Sequence, residues 1–354
     1  MRVTSDLKTC LKPTQVALGN FDGVHLGHQA VIDALSKDEW PNNLPHPFPL
    51  SPQGEPEQQP KKHSEMGVFP PGVATPLHTT VVSFDPHPHT FFSGQTRPCL
   101  TLLDEKVKAL ESLGVEQLVL LPFDAALITL TPEAFVQQIL VDQLQAQRIS
   151  VGFNFCFGYQ RSGSAQDLKA IAARYKIPVF IAAPKSLDGV QVSSSEIRQA
   201  LADGEVLRVK RLLGRPYSLS GVVVKGQQLG RSLGFPTANL QVSDQKLMPR
   251  NGVYRVWVES DRLVQPQTET ISTAMNGVMN GVMNGVMNIG NRPTVNGQSQ
   301  TIEIHLLDWS GDLYGHTVTV YLEQFLRPEQ KFESLDALKA QIQQDCTAAR
   351  TQLV

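Results

Sequence analysis

The chain has 354 residues, 41% hydrophobic and 18% charged, with a formal net charge of −2. That is enough for two domains with substantial cores, and the charge gives no global reason to expect a nucleic-acid partner. Cys10, Cys99, Cys156 and Cys346 lie far apart without a C-x-x-C pair, which argues against a zinc site or a disulfide framework and suits a reducing, cytoplasmic compartment. No membrane partner is expected, since no segment approaches the ~18 apolar residues of a spanning helix. The N-terminus MRVTSDLKTC also lacks an apolar signal core.

In chain order, residues 14–35 read as strand, glycine-containing loop and helix: TQVAL, GNFDGVHLGHQ, AVIDALS. From Pro41 to Pro76 come ten prolines among Gln, Asn and Ser. Such a segment cannot bury enough apolar surface to offset the entropy of ordering it, so a flexible insertion is expected over about 41–76. TTVVSFDPHP reads as a buried strand, LLDEKVKALESLGV as an amphipathic helix ending at Gly114, and EQLVLLPF as a strand. TPEAFVQQILVDQL reads as a helix with Thr131 as N-cap and Pro132 in its first turn. RISVGFNFCFG, AQDLKAIAARYKI and PVFIAAP continue as strand, helix, strand. The alternation predicts a Rossmann-like, doubly wound parallel sheet over residues 1–203. A linker helix follows over 204–213. Its basic residues Arg208, Lys210 and Arg211, with Arg215 just beyond, read as a solvated face.

Residues 214–354 change texture. SGVVVKG, GVYRVWVES, TIEIHLLD and HTVTVYLEQFL are short strands between glycine- and asparagine-rich turns, which reads as an antiparallel barrel or sandwich. SLDALKAQIQQDCTAAR closes the chain as a helix. Within this half Met-Asn-Gly-Val occurs three times in tandem over 275–286, and Met287-Asn288 begins a fourth copy. Four residues are far below the period of a stacking repeat fold. In a strand, Met and Gly would share one face and Asn and Val the other. Each Asn-Gly pair is a type I′ turn signal, so the quartets offer several equivalent hairpin registers.

Three stretches in the first half carry chemistry. GNFDGVHLGHQ puts His25 and His28 at the mouth of a helix, where glycines permit close approach and the helix end suits phosphate. Imidazoles there can donate to phosphoryl oxygens as charge builds; the plainer alternative is a turn with two surface histidines. For a metal, only His87 and His89 are nearby, and no third ligand is convincing. VSSSEIRQAL places Ser193, Ser194 and Ser195 at a helix start with Arg198 one turn in. That pattern suits both a capping box with Glu196 and a phosphate clamp. GFNFCFGYQRSG places Asn154 at a strand end, the usual ligand position in such a sheet.

The second half has two. In GQQLGRSLGFPTANL, Thr237 and Asn239 stand two residues apart and could share a hard cation such as Mg²⁺ with phosphate oxygens, or form a simple turn. In TIEIHLLDWSGDLYG, Ile302, Ile304 and Leu306 share one face and Thr301, Glu303 and His305 the other. Glu303 is then a solvent-facing carboxylate, or a base for an alcohol attacking ATP.

GNFDGVHLGHQ, FDPHP (84–88), GFNFCFG and SSSEIR, in this order, resemble the adenylyltransferase module of the bifunctional bacterial riboflavin kinase/FAD synthetases. GRPY (214–217), GFPTAN, NIGNRPTV (288–295), E-x-H-L-x-D with DLYG, and LRPEQKF (326–332) resemble the kinase module of the same family. The resemblance implies phosphorylation of riboflavin to FMN and adenylylation of FMN to FAD, with MgATP used twice. It implies that His25 and His28 polarise ATP phosphates, with Gly19, Asn20, Phe21, Asp22, Gly23 and Gly27 shaping their loop. Asn154 would hold the nucleotide, and Ser193, Ser194, Ser195 and Arg198 would grip the phosphate chain; the family more often has Thr where Ser195 stands. Phe84, Asp85, Pro86 and Arg327 would bind flavin. Gly226, Gly230 and Gly234 would flank the second nucleotide loop, Thr237 and Asn239 would handle Mg²⁺, and Glu303 would activate the riboflavin hydroxyl. Family members carry one GVMNIG, so Val286–Thr294 is expected to keep its barrel place while the upstream quartets lengthen the preceding loop. Another phosphate acceptor for the first domain, or a flavin-binding protein with an impaired kinase site, remain alternatives. Oligomeric state is left open.

Overall fold

The computed structural model describes residues 1–36, 76–226, 230, 233–263, 281–294 and 297–351. The proline-rich insertion (up to residue 75) and the first quartet lie outside them. Contacts group the chain into two units, Met1–Arg97 with Leu103–Ser186, and Pro98–Leu102 with Leu187–Val354.

The first unit is built on β1 (Arg2–Thr4), β2 (Thr14–Leu18), β3 (His78–Asp85), β4 (Gln117–Pro122), β5 (Ala146–Gly152) and β6 (Val179–Ala182). All six are parallel, in the order β1-β4-β3-β2-β5-β6. Alternate residues of the buried strands serve opposite faces. Val16, Leu18, Val82, Val119 and Leu121 pack with Phe135–Leu144 and with α4 (Ala165–Arg174). Ala17, Val81 and Leu118 pack with α1 (Leu26–Asp33) and with Leu110 of α2 (Leu103–Glu111). Both faces are thus covered, as a parallel sheet requires. α3 (Pro132–Phe135) begins as expected, with Thr131 Oγ1 accepting from Ala134 N, but continues as a π-helix over Val136–Gln143. The chain moves from β2 toward β3 and β4 on one side, then returns to β5 and β6 on the other. β2 and β5 are therefore neighbours whose outgoing connections diverge, the topological switch point at which α/β sheets hold ligands.

In the second unit α5 (Ser194–Asp203) and α6 (Val206–Leu213) are separated by left-handed Gly204. The basic face of α6 is ion-paired, through Arg208 with Glu196 and Glu205, Lys210 with Glu323, and Arg211 with Asp188. Six antiparallel strands then close a barrel: β7 (Ser218–Val224), β8 (Ala238–Val242), β9 (Gly252–Glu259), β10 (Val282–Thr294), β11 (Gly297–Leu306) and β12 (Thr317–Arg327). Their order is β7-β8-β11-β10-β9-β12. Ile302, Ile304 and Leu306 face the interior as expected. α7 (Leu335–Thr351) covers the outer face, with Cys346 and Ala349 packed on Phe235, Val253, Val286 and Leu307.

The repeat departs from expectation. β10 begins at Val282, one quartet before Val286, so the third copy lies in the ladder and not in a lengthened loop. Met283, Gly285, Met287 and Ile289 point inward, paired with Val258, Val256, Tyr254 and Gly252. The turn signal of Asn284-Gly285 is overridden by closure of the barrel. A Cβ on Gly285 would stand 2.9 Å from the His305 carbonyl oxygen, so glycine serves here as a close-approach residue. β8 was also not foreseen: Asn239 lies in a strand, not a turn.

Candidate active sites

At the switch point, the loop after β2 turns sharply and is buried. Phe21 (φ 50°) and Val24 (φ 43°) adopt left-handed backbone, as does Gly23 (φ 92°). For β-branched Val24 this is a true outlier, and each such residue costs about 1–3 kcal/mol that surrounding contacts must offset. Those contacts are visible. Phe21 and Val24 are 1% and 0% exposed, Gln29 Nε2 donates to the Val24 carbonyl at 3.0 Å, and the Phe21 ring lies 5.1 Å from that of His28. Ser83 Oγ and Lys106 Nζ donate to the Asn20 carbonyl at 2.9 and 3.1 Å.

His25 is the N-cap of α1, its Nδ1 accepting from His28 N at 3.2 Å. A nitrogen that accepts carries no hydrogen, so His25 is neutral here with its hydrogen on Nε2. Its ring stacks on that of His28 at 3.6 Å. The pair is therefore stacked and largely buried, not two surface histidines.

Asn154 follows β5, exposed, with its Oδ1 3.4 Å from where a Cβ on Gly152 would stand. It shares the switch point with residues 19–28. Phe84, at the end of β3, meets Phe123 edge-on, and Phe91 and Phe92 pack on the same ring at 5.4 and 5.8 Å. Phe92 is nevertheless 68% exposed. Sequence reasoning stopped at Phe84, Asp85 and Pro86; the signal for the rest was the Phe-Phe pair just beyond FDPHP. His87 stands just before the Pro88–Ser93 helix. Its Nδ1 caps the Pro88–Ser93 helix by accepting from His89 N, and burial above all pushes its pKa down. Among the described residues no group of three or more His, Cys, Asp or Glu could hold a metal ion.

Ser193 caps α5, its Oγ accepting from Glu196 N at 3.2 Å. The Glu196 carboxylate pairs with Arg208 Nη2 at 2.8 Å. By contacts this helix groups with the second unit. Arg198 and Ser194 are half-buried and Ser195 is exposed.

On the outer face of the barrel, register does the assembling. Glu303 on β11 faces Asn239 on β8 and Asn288 on β10. Facing pairs project to the same side at about 5 Å, so the carboxylate is flanked by two amides. The loop before β8 presses down on the expected Mg²⁺ residues. A Cβ on Gly226 would collide with the Asn239 side chain, and one on Gly230 with the Phe235 carbonyl, 3.2 Å from Thr237 Oγ1. Gly234 (φ 88°) has open space and serves conformation alone. His305 Nδ1 donates to the Pro236 carbonyl at 2.9 Å, tying the loop to β11. Beside it lies a cleft of about 400 Å³ lined in part by Phe235, His305, Trp309, Cys346 and Arg350. Arg327, expected at the flavin, is engaged with Asp345 of α7, Nε to Oδ1 at 3.0 Å and Nη2 to Oδ2 at 2.8 Å. Asn288 was not among the sequence candidates, because its place opposite Glu303 depends on strand register.

The family described as FAD synthetase matches residues 7–53 and 72–196, and that described as riboflavin kinase matches residues 213–353. The bifunctional riboflavin kinase/FMN adenylyltransferase of Pseudomonas fluorescens is 37% identical over 334 residues, 94% of this chain and 91% of that one. That of Escherichia coli K12 is 35% identical over 336 residues, 95% and 91% of the two chains. A solved structure described as a macrolide-efflux protein from Streptococcus pneumoniae is similar with a TM-score of 0.76 at 28% identity, covering 99% of this chain and 98% of that one. Efflux is said of that protein alone; among the described residues here no helix is long and apolar enough to cross a membrane. With both halves matched and relatives aligned along nearly its whole length, the chain belongs to the bifunctional riboflavin kinase/FMN adenylyltransferase family.

Proposed function

We propose that this chain phosphorylates riboflavin to FMN in its barrel, residues 214–354, and adenylylates FMN to FAD in its N-terminal domain, residues 1–203, consuming ATP in each reaction. The observation that carries the reading is that each half has its own glycine loop beside its own reactive group, His25/His28 in one and Glu303 in the other.

For FMN formation, the riboflavin 5′-hydroxyl oxygen attacks the γ-phosphorus of ATP, ADP leaves, and Glu303 takes the hydroxyl proton. Asn239 and Asn288 flank the carboxylate from the two neighbouring strands. The residues fit Mg²⁺: the hydroxyl and amide oxygens of Thr237 and Asn239 are hard donors, too few alone, and complete a shell with phosphate oxygens and water. Bound there, the ion would neutralise charge on the β- and γ-phosphates. The cleft beside His305 offers Phe235 and Trp309 to the flavin ring.

For FAD formation, a phosphate oxygen of FMN attacks the α-phosphorus and pyrophosphate leaves. The nucleophile is already anionic, so positioning and charge stabilisation carry the catalysis. His25 Nε2–H and His28 donate to the phosphates, and Asn154 orients the nucleotide across the crevice. Ser193, Ser194, Ser195 and Arg198 are assigned to the phosphate chain from their motif. The cluster around Phe123, with Asp85 and Pro86 at its edge, supplies an exposed aromatic surface for the flavin ring.

The test is incubation with ATP and Mg²⁺ plus either riboflavin or FMN, followed by chromatography. FMN and then FAD should form from riboflavin, and FAD alone from FMN. No phosphorylated product from either would refute the assignment.

A further inference from the structure

None of the motifs that identify the family includes Lys106, yet this residue sits beneath the strained loop of the first site. It lies on α2, half-buried, and its ammonium donates to the Asn20 carbonyl at 3.1 Å and to Ser83 Oγ at 3.3 Å. Ser83, itself 1% exposed, donates to the same carbonyl at 2.9 Å. Two donors thus converge on one peptide oxygen, and one of them is a cation, whose hydrogen bonds are the stronger kind. The Asn20–Phe21 bond is not among the cis peptides. In a trans peptide the C=O and the following N–H point in opposite directions. Fixing the carbonyl toward Ser83 and Lys106 therefore fixes the Phe21 N–H away from them. Phe21 then takes its left-handed conformation and sets its ring against His28.

Resting on the adenylyltransferase reading above, we propose that Lys106 is a positioning residue for FAD formation. It orients the Asn20–Phe21 peptide so that the Phe21 N–H is a fixed donor to ATP phosphate, and through Phe21 it holds His28 in place. Lys106 touches no substrate. Its loss lets the peptide rotate and the strained loop relax, which disturbs geometry needed during transfer more than flavin binding.

The test uses the full chain with Lys106→Met, Lys106→Arg and Ser83→Ala, assayed for both activities in the same preparations. Lys106→Met should lower kcat for FAD formation about 100-fold, the scale of a misplacement of about 1 Å. The KM for FMN and the riboflavin kinase rate should stay within about threefold, on the expectation that this residue leaves binding energy unchanged. Lys106→Arg, which keeps the charged donor, should recover most of the loss. FAD formation by Lys106→Met within about threefold of the unmodified chain would overturn the proposal, as would a loss wholly in KM. If Lys106→Met loses both activities, Ser83→Ala decides: a fall in FAD-forming kcat alone supports the clamp, and an unchanged kcat overturns it. An unmodified chain that makes no FAD from FMN would instead refute the underlying activity.

Discussion

The two glycine loops, residues 19–28 and the stretch that holds Gly226 and Gly230, are both proposed to present backbone and side chains to phosphate, and they are built differently. The first carries its candidate histidines within the loop itself, and its strain at Phe21 and Val24 is offset by contacts with the following helix and with Ser83 and Lys106. The second takes its candidate carboxylate from elsewhere: Gly226 and Gly230 lie close against Asn239 and Thr237, and Glu303 comes from the neighbouring strand. A local site depends on its loop. A register-built site depends on strands far apart in sequence.

The sharpest way to break the comparison is Glu303→Gln, which removes the proposed base and leaves shape intact. Riboflavin kinase kcat should fall about 10³-fold, within the range for a general base, while FAD formation from FMN persists. His28→Ala is its mirror, with FAD formation reduced about 100-fold or more as for a lost charge-stabilising donor and kinase activity kept. Asp345→Ala tests whether Arg327 serves packing. It strands a partly buried guanidinium, and thermal or denaturant unfolding should show a loss of about 3 kcal/mol that added flavin does not selectively reverse.

Smaller effects sharpen the register argument. Asn288→Ala should lower kinase kcat about tenfold, equivalent to about 1.4 kcal/mol. Asn284→Ala, the same residue one quartet earlier but facing Trp257 on β9, should leave the rate within about twofold, on the footing of a surface change. The smallest effect concerns pH. Burial depresses the His87 pKa in the folded state, so the unfolded chain binds more protons. The neutral ring's contribution is fully present above about 6.5, the ordinary value, and is lost as pH falls through the lower folded value. Protection of the amides of the Pro88–Ser93 helix, after correction for the intrinsic pH dependence of exchange, should fall on acidification, and His87→Asn, which keeps a capping acceptor, should flatten that dependence.

These differences also explain what the sequence could convey. TQVAL, TTVVSFD and QLVLLP declare themselves as buried strands because both faces of each are apolar, and Gly114 and Thr131 mark helix ends by their own chemistry. The place of His25 and His28 at a helix start was legible in the same way, from the glycine loop that precedes the helix. What the sequence hid is non-local. Asn284-Gly285 has the local chemistry of a turn and becomes strand only because the barrel closes around it. Asn288 joins Glu303 only through pairing of β10 with β11. Lys106 looks like any helix-surface lysine until α2 folds under the first loop.

The central claim is that one chain carries two independent sites, one local and one built by register. The most direct measurement is time-resolved chromatography of riboflavin, FMN and FAD, with ATP and Mg²⁺ present, for the unmodified chain, Glu303→Gln and His28→Ala. The account predicts that Glu303→Gln leaves riboflavin unconverted yet makes FAD from supplied FMN, and that His28→Ala accumulates FMN from riboflavin with little FAD. Loss of both products through either single substitution, or of neither through both, would contradict it.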